Sequence, residues 1–138
     1  MVASEFLSLH TQGFGDIIDI TSRVADIVEG SKVKNGAVTV FCAGSTGAVT
    51  TIEYETGVLE DLKEAIERIA PSDIPYAHDR SWGDGNGYSH VRAALLGPSL
   101  TIPVLRGALA LGTWQQIVFI DFDNRKRERK IIVQVMGE

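Results

Sequence analysis

The stretch Ile117 to Phe122, IVFIDF, constrains the fold more than any other part of the chain. Ile117, Val118, Phe119, Ile120 and Phe122 are apolar and mostly β-branched or aromatic, the mark of a strand buried on both faces. The residues leading into it are of another kind: LALGTWQQ, from Leu109, brings glycine, threonine, tryptophan and two glutamines to the head of the driest strand. Each such polar group costs roughly 1–3 kcal/mol if buried without a partner. Because side chains alternate along a strand, Trp114 and Gln115 share a face only if Gly112 creates a bulge. One of the two is therefore expected to be structural.

The chain has 138 residues, 44% hydrophobic and 22% charged, which predicts one globular domain over residues 1–138. The single cysteine, Cys42, lies in the apolar run AVTVFC and reads as a small core residue. No disulfide can form within the chain, which suits a reducing, cytoplasmic setting. A formal net charge of −5 argues against nucleic acid as a partner. No apolar run approaches the roughly 20 residues of a membrane span. The segment MVASEFLSLHTQ lacks the basic-then-apolar pattern of a secretion signal.

Hydrophobic spacing then gives the order of elements. A short strand is expected over residues 4–11, a turn at Gly13-Phe14-Gly15, and a second apolar segment over 16–20. Thr21 reads as the N-cap of a helix whose buried face carries Ile20, Val24, Ile27 and Val28, and which Gly30 ends. A turn at Lys34-Asn35-Gly36 precedes the strand AVTVFC, and another strand is expected over 47–55. The strongest helix covers 57–70, capped by Thr56, with Glu60 and Asp61 near its positive end and Pro71 stopping it. SWGDGNG, residues 81–87, reads as a glycine-rich loop, and 89–97 as a brief helix. The rest reads as sheet: SLTIPVL, a hairpin at Arg106-Gly107, ALAL, the dry strand, a turn at Asp123-Asn124, and KIIVQVM. Strands outnumber helices and several are joined by short turns, so the sheet is expected to be largely antiparallel.

Candidate chemistry is sparse. His10 reads as an ordinary sheet residue. His78 and His90 bracket the glycine-rich loop, and histidines on either side of a flexible loop can converge on a metal. Their separation matches no compact zinc motif, and the plain alternative is two surface histidines. Glu53 is expected to share a strand face with Val49 and Thr51, pointing into a cleft or into water. Asp61 is either a dipole-stabilising carboxylate or an active-site acid. In CAGST, backbone amides around Ser45 and Thr46 can receive an anion. Arg125, Lys126, Arg127 and Arg129 form the most basic segment, read as a solvated hairpin tip or as a clamp for phosphate. Walker, GxGxxG, HExxH, CxxC and GxSxG patterns are all absent.

Taken in order, STGAVTTIE, YAH, SHV, GPS and LGTWQ closely resemble the signature of the YjbQ family, over roughly residues 38–137. Two departures stand out. Many bacterial members open the small-residue segment with a histidine where this chain has Gly44. Many carry Asp-Gly-Pro-Arg at the last turn, where this chain has Asp123-Asn124-Arg125.

The resemblance implies an α+β fold, mostly an antiparallel β-sandwich with two or three short helices packed against it, assembled as a homotrimer. It implies metal at the histidine positions. It also implies a secondary thiamine-phosphate synthase activity, which joins hydroxymethylpyrimidine diphosphate to thiazole phosphate. On that reading His78 and His90 hold a divalent metal, zinc or magnesium, with Glu53 or Asp61 completing the shell. Ser45, Thr46, Arg125 and Arg127 hold phosphate, Trp114 stacks on a ring, and Gln115 hydrogen-bonds one. The rival readings are a metal-dependent hydrolase of a small phosphorylated or acylated metabolite, and a non-catalytic metal- or ligand-binding trimeric module.

Overall fold

The computed structural model describes residues 1–138. In chain order its elements are β1 (Val2–Thr11), β2 (Asp16–Asp19), α1 (Thr21–Ser31), β3 (Asn35–Cys42), β4 (Gly47–Ile52), α2 (Thr56–Ile69), α3 (Ala77–Trp82), α4 (Gly87–Leu96), β5 (Ser99–Leu105), β6 (Ala108–Leu109), β7 (Gln116–Asp121) and β8 (Arg127–Gly137). The strands form two sheets, β1-β8-β3-β5-β6 and β2-β7-β4, with every pairing antiparallel. No helix is long and apolar enough to cross a membrane.

Alternation along the strands builds the layers. In the large sheet Leu7 and Leu9 of β1, Val38 and Val40 of β3, and Val133 and Val135 of β8 face inward. They meet Val49, Ile117 and Phe119 of the small sheet, and Val24 and Val28 of α1 join the same core. The opposite face of β7 supplies Val118 and Ile120, followed by Phe122, which pack on Ile66 of α2 and Ala93 of α4. The dry strand therefore lies between the large sheet and the helices, as its composition predicts. Burying a side chain such as Phe119 or Phe122 stabilises the fold by about 1.5–3 kcal/mol. The α+β architecture of packed antiparallel sheets is the expected one, with four helices rather than two or three.

Several local expectations are corrected. Thr21 lies inside α1 rather than capping it. Its hydroxyl donates to Asp19 and accepts from the Ile117 amide at 2.8 Å, which ties α1 to β7. That helix passes Gly30 to Ser31, and Lys32 takes the left-handed conformation after it. Asn35 opens a strand instead of a turn, because it pairs with Leu105. Glu55, not Thr56, caps α2, its carboxylate accepting from the amides of Gly57 and Val58. A carboxylate reaching two orphan amides also complements the positive end of the helix. Residues 77–82 form α3, so the glycine-rich loop is confined to Gly83–Asn86.

The largest correction concerns Asp123-Asn124. Both neighbours of β7 are already taken, by β2 and β4, so β8 pairs elsewhere, with β1 and β3. The turn is thus a crossing from one sheet to the other and not a hairpin tip. Cys42 is buried as expected, and burial pushes its thiol above the ordinary range.

Candidate functional site at the histidine pair

Helices α3 and α4 are joined by a tight reversal in which Gly83 and Gly85 both take positive φ, +70° and +69°. A residue with a Cβ is strained there, so glycine permits the turn. The reversal sets His78 of α3 against His90 of α4, with ring centroids 4.4 Å apart and planes tilted by 38°. The Nδ1 atom of His78 is buried and makes no hydrogen bond. It lies 3.5 Å from Asp84 Oδ1 and 3.6 Å from Asp79 Oδ1, ion-pair distances if the imidazole is protonated. One ligand atom from each of His78, Asp79 and Asp84 falls within 4.8 Å of the others. An orphaned imidazole nitrogen facing two carboxylates is a donor set that fits a divalent cation.

Neighbouring strands hold this loop in place. Asp79 accepts from the Gly87 amide at 2.9 Å, fixing the start of α4. Asn124 donates to the Asp84 carbonyl at 2.9 Å, and Asn86 donates to Asp123 at 3.2 Å. The crossing between the sheets therefore grips the loop that carries Asp84. Beside His90, a cavity of about 230 Å³ is bounded by Gly44, Ser45, Gly47, Ala93 and Pro98. The small residues of CAGST leave this space open.

Behind the cavity runs a buried polar network. Arg129 donates through Nε and Nη2 to both carboxylate oxygens of Asp121, at 2.8 and 2.9 Å, and through Nη2 to Thr46 at 2.7 Å. Burial pushes the Asp121 carboxyl up, but hydrogen bonds from Arg129 and Thr11 outweigh it and hold the group below its usual range. The bond to Asp121 in turn raises Arg129. Asp123 is also held low: burial opposes ionisation, and the Asn124 amide, Asn86 and the Arg127 charge overcome it.

The sequence candidates separate into those near the histidines and those elsewhere. Ser45 is exposed on the cavity wall. Thr46 is buried, its hydroxyl engaged by Arg129 and Asp123. Arg127 pairs with Asp123, and Arg125 is exposed at the crossing. Glu53 lies beyond the end of β4, about 20 Å of extended chain from Gly47 at some 3.3 Å per residue. The strand stops at Ile52, so Glu53 does not share a strand face with Thr51. Asp61 is exposed on α2, and His10 is exposed on β1.

The head of β7 also differs from expectation. Residues 112–115 form a turn, with the Gln115 amide donating to the Gly112 carbonyl, and no strand bulge is needed because β7 begins at Gln116. Gln115 closes this turn by accepting from the Gly112 amide and donates to Thr51. Gln116 accepts from the Tyr54 amide at 2.9 Å. Trp114 is 73% exposed. The polar groups before the dry strand thus have local partners, at the end of the molecule away from Gly47.

Sequence reasoning missed Asp79, Asp84 and Asp121, and placed Arg129 only in the basic segment. An acid adjoining His78, another inside the glycine-rich loop, and an aspartate within IVFIDF were the available signals.

A family model described as "UPF0047 protein YjbQ-like" matches residues 5–138. A UPF0047 protein of Methanothermobacter thermautotrophicus is 41% identical over 137 residues, covering 99% of this chain and 94% of its own. One from Archaeoglobus fulgidus is 42% identical over 130 residues, covering 94% and 98%. Among solved structures, a YbjQ-like protein of unknown function from Sulfolobus solfataricus superposes with a TM-score of 0.90 at 33% identity, over 100% of both chains. A hypothetical protein from Aeropyrum pernix does so with a TM-score of 0.91 at 30% identity, over 99% of both.

Proposed function

The chain belongs to the YjbQ-like UPF0047 family, and from that premise we propose that its histidine cleft serves a secondary thiamine-phosphate synthase reaction. The observation carrying this reading is the donor set at His78, where a buried, unbonded nitrogen faces Asp79 and Asp84 with the His90 ring alongside. Those residues would hold a divalent metal, zinc or magnesium, which offsets negative charge on a departing diphosphate.

The chain's own groups supply the rest. In the reaction the methylene–oxygen bond of the pyrimidine diphosphate breaks and its electron pair leaves with pyrophosphate. The thiazole nitrogen then forms the new carbon–nitrogen bond. His90 borders the cavity and is positioned to donate a hydrogen bond to a phosphate oxygen; Ser45 and its neighbouring amides offer further donors. Arg125 and Arg127 add cationic reach from the sheet crossing. The apolar wall of Ala93 and Pro98 limits water around the reacting carbon. Glu53, Asp61, Trp114 and Gln115 have no part in this version of the site.

The reading includes a cytoplasmic homotrimer acting on small phosphorylated substrates. The outer face of the large sheet exposes Val2, Phe6, Phe41, Leu105 and Met136, the kind of apolar surface that subunits cover.

The test is to incubate the protein and His90→Ala with the pyrimidine diphosphate, the thiazole phosphate and magnesium, and to follow thiamine phosphate. Product from the unaltered chain, at least tenfold reduced in the folded variant, is expected. No product from the unaltered chain over repeated preparations overturns the reading.

A further inference from the structure

The two neighbours of β8 do not run to the same length. Strand β1 pairs with it from Arg127 onward, whereas β3 ends at Cys42, opposite Ile131. Residues 127–130 therefore have no strand on one side. Beside that gap lies a cavity of about 620 Å³, bordered by Cys42, Ala43, Arg127, Arg129, Lys130 and His10.

Arg129 is only 7% exposed, and its hydrogen bonds account for Nε and Nη2 alone. Its Nη1, with two N–H groups, makes none. With the guanidinium fixed by Asp121 and Thr46, Nη1 lies beside Gly44, where a Cβ would stand 3.2 Å from it and 3.7 Å from Cys42 Sγ. Glycine is what leaves room beside this nitrogen.

The charges around the cavity favour an anion. Asp121 and Asp123 are consumed behind the wall by Arg129 and Arg127. Glu128 is the only carboxylate on the wall, 3.4 Å from His10 Nδ1. Lys130 stands over the Phe6 ring, 6.0 Å from its centroid, and adds positive potential on the outer face of β8. A guanidinium held rigid by a buried carboxylate loses little freedom on binding, and its planar donors suit phosphate oxygens.

We propose that Arg129, through the Nη1 beside Gly44, forms with Arg127 on the same face of β8 a binding subsite for the phosphoryl group of a small molecule, separate from the cation-binding donors at His78. Two guanidinium groups, two residues apart on one face, offer more N–H donors than the two oxygens of a carboxylate can use, which favours a phosphoryl group. This assignment does not rest on the synthase reading; it requires only a phosphorylated ligand.

The experiment uses ¹⁵N-arginine-labelled full-length protein in EDTA, following the Nε–Hε signals while inorganic phosphate, pyrophosphate or acetate is added. Saturable shifts of the Arg129 signal with phosphate or pyrophosphate, and none with acetate, are expected. Gly44→Ala should weaken binding at least tenfold while the Arg129 signal of the free protein stays in place, reporting an intact pair with Asp121. The titration needs neither metal nor turnover, which separates failure here from failure of the synthase assay. The proposal is overturned by an Arg129 signal that does not respond, by shifts confined to Arg125, or by equal affinity in folded Gly44→Ala. Should that variant not fold, the response of Arg129 in the unaltered chain decides the matter.

Discussion

Arg129 and Asp121 meet across the two sheets in a two-point ion pair, Nε to Oδ2 at 2.8 Å and Nη2 to Oδ1 at 2.9 Å, with Asp121 fully buried. The pair ends the core between the sheets, one step beyond Ile131 on β8 and Phe119 on β7. Thr11 donates to the carboxylate at 2.6 Å and Thr46 accepts from the guanidinium, so little of the buried charge lacks a partner. Such a pair need not stabilise more than apolar packing would, yet removing one member leaves the other stranded.

Asp121→Asn tests that statement with almost no change in volume. Loss of the negative charge strands Arg129 in the interior, and the expected destabilisation is about 3–5 kcal/mol. Urea unfolding of the two proteins at neutral pH measures it; a difference under about 1 kcal/mol would falsify the assigned role.

The same carboxylates set an acid limit. Asp121 and Asp123 are both held below their ordinary value of 3.8 in the folded chain. The unfolded chain therefore binds more protons in the interval below about pH 4, so stability rises with pH there. Their contribution is complete above the unfolded value and is lost as pH falls through the folded ones. Unfolding free energies measured from pH 7 to pH 2 should fall below about pH 4, with a shallower drop in Asp121→Asn.

Divalent-ion binding provides a readout independent of turnover. Removing one ligand by His78→Ala should weaken zinc binding at least tenfold, and Asp84→Asn should do so as well. Calorimetric titration of the three proteins checks this, and unchanged affinity in both variants would remove these residues from the donor set.

The cap of α2 separates two candidates that adjoin in sequence. Glu55→Ala should lower stability by about 1 kcal/mol, since two amides lose their acceptor. Thr56→Ala should have little effect, because that hydroxyl caps nothing. Paired thermal melts, with helicity followed by circular dichroism, distinguish them.

Much of the fold was legible because its signals are local. IVFIDF announced a strand dry on both faces, the spacing of Leu59, Leu62 and Ile66 announced α2, and Arg106-Gly107 announced a hairpin. The order of short motifs likewise identified the family. Local spacing failed where short-range competitors were close: Glu55 beside Thr56 as a cap, and a six-residue helix that runs up to the glycine-rich loop.

What the residue order determined by itself was the period of each segment, the alternation that sorts inward from outward side chains, and the family signature. Tertiary structure alone decided which strands became neighbours. That choice sent β7 and β8 to different sheets, drew His78 against His90, and turned Arg129 from a basic residue near a turn into a buried partner of Asp121. The physical reason is one of range. Periodicity is fixed by the geometry of adjacent residues, whereas these contacts depend on how whole faces are covered, and that is settled only when every layer packs at once.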